Sequence, residues 1–336
     1  MSKPLLNVEN LKTYFFLVSG TARAVDGVSF TIDAGETLGI VGESGSGKSV
    51  TSKSIVRLLE KVGRIVDGKI EFEGKDVLAL SEKELLAYRG RDVGMIFQNP
   101  MTSLDPVFTV GHQMVENLRA HRQISKEEAK KISIDALRAV GIPEPEARYN
   151  AYPFELSGGM CQRVIIAMAL CMDAKLIIAD EPTTALDVTV QSQVLKLLKK
   201  LQAEKNIGIL LITHNLGVIW EMCDKVMVMY AGKTVEYTTV GQLYQNPRHP
   251  YTWGLLDSMP SMHMDSSQKL NTIQGTPPDL RLTGTCCNFY NRCPYCRDIC
   301  REKVPDLLEV EPGHFVACHF QTAERQLTRG ETNHDG

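Results

Sequence analysis

No stretch of this 336-residue chain approaches the roughly 20 consecutive apolar residues that a membrane-spanning helix needs. The opening MSKPLLNVEN carries no apolar signal core, so the expectation is a chain retained in the cytosol. Charge of one sign is also missing: 37 Lys and Arg against 40 Asp and Glu leave a formal charge of −3. That balance offers nothing global to nucleic acid or an anionic membrane surface, and no nucleic-acid partner is expected. There is no internal repeat. With 43% hydrophobic and 23% charged residues, the composition is that of a globular protein able to bury a core. Its length suits one large domain with an appendix, or two modest domains.

Cysteine is present and unevenly placed. Five of nine fall in 285-TCCNFYNRCPYCRDIC-300. In a reducing compartment metal or cluster ligation is a stronger reading of such clustering than a disulfide framework. Cys161, Cys171 and Cys223 stand singly among apolar residues and read as packing.

Residues 5–42 carry strand-forming patterns that end in the apolar run TLGIV, and a helix is expected from the Gly-rich loop through SVTSKSIVRLL. GKIEFEG and DVGMIF are further strand candidates. From about 100 to 172 the period turns helical, as in KEEAKKISIDALRAVGI. KLIIAD, IGILLIT and DKVMVMYAGKTVEY then read as strands, with VTVQSQVLKLLKKLQAEK as a helix between the first two. Strands alternating with helices predict a mostly parallel α/β sheet with a helical insertion. Residues after Phe320 read as frayed.

GESGSGKS, Gly42 to Ser49, fits G-x-x-x-x-G-K-[ST] between an apolar strand and a helix. Glycines there let backbone N–H groups curl round a phosphate, and the helix N-terminus adds unpaired donors and partial positive charge. The candidate contacts are Gly42, Ser44, Gly45, Ser46, Gly47, Lys48, Ser49 and Val50. Lys48 would reach the β- and γ-phosphates of ATP and Ser49 would ligate Mg²⁺. LIIADE, Leu176 to Glu181, is an apolar strand ending in two carboxylates. Asp180 suits the Mg²⁺ shell, and Glu181 is placed to polarise an attacking water.

Among phosphate-loop proteins, 156-LSGGMCQR-163 resembles the signature of ABC ATPases. The resemblance implies a P-loop core with an N-terminal antiparallel β-subdomain, a helical insertion and a small Cys-rich appendix. It also implies that Ser157, Gly158 and Gly159 face the γ-phosphate held by a second ATPase subunit, the two chains closing head to tail. Gln98 matches the family's loop that senses Mg²⁺ and the membrane partner, Asp187 in TTALD the loop at the dimer interface, and His214 in LLITHN the switch histidine. Phe15 matches the aromatic that stacks on adenine, with Tyr14 and Phe16 as alternatives. Asn215 departs from the family's acidic residue after the switch histidine, and Cys161 occupies a variable signature position. Neither removes a catalytic group.

FQNPMTSLDP (97–106), NPRHPYTWGLL (246–256) and the Cys-rich tail narrow the resemblance to ATP-binding subunits of bacterial dipeptide/oligopeptide importers, whose relatives also carry nickel. It then implies residues 1–258 as the ATPase domain, with a helical subdomain at about 100–172, and residues 259–336 as the Cys-rich region. Implied partners are two transmembrane permease subunits, a second ATPase (a different chain, with a homodimer as alternative) and, indirectly, an extracellular peptide-binding protein. The place of action is the cytoplasmic face of the cell membrane. Cys287, Cys293, Cys300 and Cys318 follow the subfamily pattern C-x-F-x-x-R-C-P…C…C. Four thiolates hold either a [4Fe–4S] cluster or a tetrahedral zinc. The C-x5-C-x6-C-x17-C spacing suits zinc knuckles poorly, although Cys293 and Cys296 form a plausible ligand pair, and free thiols or an oxidative disulfide stay open. The bound centre is expected to hold the small appendix folded. Two other classes remain. A soluble ABC ATPase of translation or DNA repair would carry two cassettes or a long coiled coil, which are not seen; a metal or redox sensor would use ATP only to regulate.

Overall fold

The computed structural model describes residues 3–183, 187–259 and 273–330. The chain runs through strands β1 (Leu6–Leu17), β2 (Gly20–Ile32) and β3 (Thr37–Val41), helix α1 (Lys48–Ile55), and strands β4 (Gly63–Phe72) and β5 (Lys75–Asp76). Helix α2 (Glu82–Ala87) and strand β6 (Val93–Ile96) precede helices α3 (Pro100–Ser103), α4 (Val110–His121), α5 (Lys126–Ala139), α6 (Pro145–Tyr149) and α7 (Gly158–Leu170). Next come β7 (Leu176–Asp180), α8 (Val188–Lys205), β8 (Gly208–Thr213), α9 (Leu216–Met222), β9 (Lys225–Tyr230) and β10 (Lys233–Thr239). Helices α10 (Val240–Gln245), α11 (Pro250–Asp257) and α12 (Asp298–Glu302) and strands β11 (Leu308–Glu311) and β12 (His314–Val316) complete the order. Among the described residues no helix is long and apolar enough to cross a membrane.

The chain forms two compact units. The first comprises Met1–Leu5, Ile32–Thr37 and Phe72–Ile212; the second comprises Leu6–Thr31, Leu38–Glu71 and Thr213–Gly336. In the first unit β6, β7 and β8 pair in parallel, with Val93 opposite Leu176 and Ile177 opposite Ile209. Every residue of LIIAD and GILLIT is buried, as parallel strands covered on both faces require. Between β6 and β7 the described residues carry helices and no strand. Helix α5 shows why: Ser125 caps it by accepting from Glu128 N, and Ala129, Ser133 and Leu137 bury one stripe at four-residue spacing.

In the second unit β2, β1 and β4 pair side by side, and β3 runs parallel to β9. Strands β9 and β10 form a hairpin with Tyr230 opposite Lys233. Its turn residues Ala231 and Gly232 both have positive φ, 45° and 83°, the conformation a two-residue hairpin uses to match strand twist. Val41, Ile219, Val228, Tyr230, Leu243, Tyr251 and Phe289 share one buried cluster.

Three expectations change. The helix after the Gly-rich loop stops at Ile55 rather than continuing through VRLL, because Arg57 takes φ 53°, which ends a right-handed helix. The tail does not depend on a bound centre alone. Strand β12 pairs with β10, Glu236 opposite Val316 and Tyr237 opposite Phe315, and β11 pairs with β12. Phe289 packs edge-on to Tyr230 and Tyr251, at 5.1 and 5.4 Å between ring centroids. Finally, the chain is not frayed directly after Phe320: Gln321 is buried and donates to the carbonyls of Arg248 and Leu327.

Candidate functional site

In the second unit, residues 42–49 join β3 to α1 as the sequence pattern predicts. Lys48 is buried and its Nζ donates to the carbonyls of Gly42 (2.8 Å) and Glu43 (2.9 Å), so the ammonium is held inside the loop. Gly47 caps α1 at φ 105° with no side-chain cap, leaving the first turn of the helix without a side-chain acceptor from the cap residue. A Cβ on Gly47 would lie 2.2 Å from the Ala24 carbonyl oxygen; one on Gly45, at φ 78°, would meet nothing within 4 Å. Glycine at 47 is thus demanded by the protein's own backbone, and at 45 by the left-handed turn. Among the described residues, Ser46 Oγ is buried with no hydrogen-bond partner, an orphan donor that a phosphate oxygen would satisfy.

Phe15 is half-buried, with its ring edge against Gly63. Phe16 is 48% exposed. The Tyr14 hydroxyl donates to Asp26 at 2.7 Å, and burial, then that contact, push its pKa up to about 12. His214 follows β8 on the surface, and Asn215 has a local duty, its Oδ1 accepting from Gly217 N to start α9.

The first unit carries the remaining candidates. Asp180 ends β7 and is buried. Glu181 follows at φ 48°, left-handed for a non-glycine residue, and its N–H donates to Ile212 O. Strained backbone of this kind gathers at functional sites. Gln98 Nε2 donates to Glu181 Oε2 at 2.8 Å, so these two candidates, 83 residues apart, are brought together. Ser157 caps α7 by accepting from Met160 N, and Asp187 caps α8 by accepting from Val190 N. A Cβ on Gly159 would lie 2.8 Å from Val190 Cγ1, whereas one on Gly158 would meet nothing within 4 Å. Gly159 therefore admits α8, and Gly158 is open. Thr184, Ala185 and Leu186 of the TTALD stretch, and residues 260–272 at the start of the Cys-rich region, lie outside the described residues.

The tail belongs to the second unit. Cys287, Cys293, Cys300 and Cys318 line one small cavity with Phe289, Tyr295 and Phe320; Cys286 and Cys296 do not line it. The cavity measures about 10 Å³, room for about one water molecule. Burial, and then the neighbouring thiols, push Cys287 up to about 12 and Cys318 up to about 11; Cys293 is raised likewise. Among the described residues no three His, Cys, Asp or Glu side chains close around a single ion. The donor set is nonetheless four thiols facing one space, three from the 285–300 stretch and Cys318 from beyond β12. Cys161 and Cys171 are buried and Cys223 packs against the core, as plain packing residues would.

Sequence reasoning missed a contact that the cysteine pattern itself contained. Arg292, the Arg of that pattern, forms a two-pronged ion pair with Glu43 inside the phosphate loop.

A phosphate-type loop after a buried strand, a carboxylate pair ending a second strand and a Ser-capped helix opening on two glycines define a P-loop cassette ATPase fold. Residues 25–184 match the family model described as ABC transporter, and residues 235–300 match the one described as oligopeptide/dipeptide transporter, C-terminal region. The oligopeptide transport ATP-binding protein OppD of Bacillus subtilis is 51% identical over 313 residues, 93% of this chain and 87% of that protein. The dipeptide transport ATP-binding protein DppD of the same organism is 46% identical over 330 residues, 97% and 98% of the two chains. Among solved structures, the dimeric post-hydrolysis state of the cassette MJ0796 bound to ADP and phosphate is 27% identical with a TM-score of 0.64, covering 70% of this chain and 98% of that one. The chain belongs to the ATP-binding proteins of ABC transporters, in the oligopeptide/dipeptide group.

Proposed function

We propose that this chain is the ATP-hydrolysing subunit of an importer for di- or oligopeptides. The observation that carries the reading is that the ABC transporter match and the oligopeptide/dipeptide C-terminal match fall on one chain, whose peptide-transport relatives align with nearly all of it. Residues 1–258 act as the ATPase domain, with a helical subdomain at about 100–172, and 259–336 as the Cys-rich region.

In this reading Phe15 stacks on adenine, and the N–H groups of residues 42–50 with Lys48 hold the phosphates, the orphan Ser46 Oγ among them. Ser49, Gln98 and Asp180 would be the ligands of Mg²⁺, which would supply charge neutralisation on the phosphates. Glu181, aligned by Gln98, accepts a proton from the attacking water, and His214 holds the γ-phosphate end. Ser157, Gly158 and Gly159 of a second ATPase subunit complete the site, with Asp187 at the dimer interface. Closure is then a population shift driven by tighter binding of the γ-phosphate in the closed state. Movement passes to two permease subunits at the cytoplasmic face of the membrane, and an extracellular binding protein delivers the peptide.

The four-thiol cavity is read as the seat of a [4Fe–4S] cluster, with zinc as the alternative. The donor set supports it: the four thiols line one cavity, and four sulfur donors suit either centre.

The test is Glu181→Gln in cells that depend on this transporter. ATP turnover of the purified complex is expected to fall by about 10²–10⁴-fold, with peptide uptake lost and nucleotide binding kept. Peptide uptake that survives the substitution refutes the motor reading. Loss of nickel uptake with peptide uptake intact would move the assignment to the alternative cargo.

A further inference from the structure

A loop built to receive anions carries a carboxylate of its own at Glu43, and that charge needs an answer. It comes from 249 positions further along: Arg292 Nη1 donates to Glu43 Oε2 at 2.6 Å and Nη2 to Oε1 at 2.9 Å. The Arg292 side chain is 4% exposed and that of Glu43 28%, so the pair is largely withdrawn from solvent screening. The rest of the guanidinium is also engaged. Nε donates to Gln274 O at 2.9 Å, Nη2 to Ile273 O at 3.1 Å and Nη1 to Tyr230 Oη at 3.3 Å, with the Tyr230 ring 5.7 Å beneath. The Glu43 backbone is held from outside the loop too, its N–H donating to Tyr251 Oη at 2.8 Å. Arg292 immediately precedes Cys293, one of the four thiols around the cavity.

We propose that Arg292 is a positioning residue for the nucleotide site: it neutralises Glu43 and anchors the first turn of the phosphate loop, so the Cys-rich region must be folded for the loop to accept a nucleotide. This rests on the reading of residues 42–49 as the phosphate loop and not on what the four thiols hold. A fork matched to a carboxylate fixes direction as well as distance, which a lysine at the same place would not do. Without Arg292, Glu43 presents an unpaired negative charge beside the phosphates, and the loop loses the contact that ties it to the tail. The tail thereby contributes to the ATP site through Arg292, and unfolding of the tail would be felt as weaker nucleotide binding.

The experiment uses the full chain and measures equilibrium binding of ATP with Mg²⁺, with hydrogen exchange of residues 42–47 as a second readout. Arg292→Ala is expected to weaken binding about tenfold, the scale of one uncompensated charge near the phosphates, and to speed exchange in the loop. Arg292→Lys should fall between Arg292→Ala and the unaltered chain. Adding Glu43→Gln to Arg292→Ala should restore most of the affinity, because the charge needing neutralisation is gone. Arg301→Ala, which removes an exposed pair with Asp298 in the same region, should change neither readout. Unchanged binding and exchange in Arg292→Ala overturn the proposal, as does a binding defect that Glu43→Gln leaves uncorrected, since a purely structural role would give that result. Should Arg292→Ala fail to fold, Arg292→Lys and the double variant decide by the same criteria. Failure of the unaltered chain to bind ATP would instead refute the phosphate-loop reading.

Discussion

Glu236 is fully buried, and its two oxygens hold three donors. Oε1 accepts from Arg248 N at 2.7 Å and from His314 Nε2 at 2.8 Å, and Oε2 accepts from His249 N at 2.9 Å. This carboxylate ties β10 to the start of α11 and to β12. Glu236→Gln keeps one acceptor oxygen but turns an NH₂ group towards one of the donors. One buried N–H is then unsatisfied, costing about 1–3 kcal/mol, and charge-assisted bonds become neutral ones, for a total of about 3 kcal/mol. His314→Phe is a milder change at the other end of the same bond. It removes one donor, leaves Oε1 still bonded to Arg248 N, and also removes Nδ1, which is buried without a partner among the described residues. Its cost is about 1 kcal/mol. Equilibrium urea unfolding would read both, followed through the fluorescence of Trp253, which is buried with its ring 5.3 Å from that of Tyr295. A Trp220→Phe background removes the exposed second tryptophan. Equal costs, or a larger cost for His314→Phe, would refute the assignment of Glu236 as the hub.

Gly47→Ala forces a Cβ to 2.2 Å from Ala24 O at φ 105° and is expected to destabilise the second unit by about 3 kcal/mol in the same urea assay, whereas Gly158→Ala meets open space and should stay within about 0.5 kcal/mol. A shift of less than 1 kcal/mol for Gly47→Ala would show that the loop relaxes away from Ala24. Purified without oxygen, the chain should contain about four iron and four acid-labile sulfide per molecule. Serine at Cys287, Cys293, Cys300 or Cys318 should remove them, and serine at Cys286 or Cys296, which do not line the cavity, should not. Zinc without sulfide would refute the cluster and recast the tail as a zinc-held module.

What the sequence by itself determined is local. GESGSGKS needs only its own eight residues, the apolar strand before it and the helix after it, so its identity as a phosphate-type loop follows from short-range sterics and helix-terminus chemistry. The strands LIIAD and GILLIT were legible for the same reason, because continuous burial leaves an uninterrupted apolar run. Ser157 and Asp187 were legible as short motifs, yet each proves also to be the N-cap of its helix, and a motif cannot say how one oxygen divides those duties. Only the tertiary structure decided the long-range pairings. The sequence pattern named four cysteines, but their common cavity depends on Cys318 being drawn back by β12 pairing with β10, and strand register is not written in either strand alone. The tail's small size suggested that a bound centre holds it folded; its strands and Phe289 also use a core supplied by the rest of the unit. Arg292 was visible as one letter of the cysteine pattern and Glu43 as an unconstrained position of the phosphate loop. Their ion pair exists because folding closes a sequence separation of 249 positions, a choice made by packing and burial rather than by local propensity.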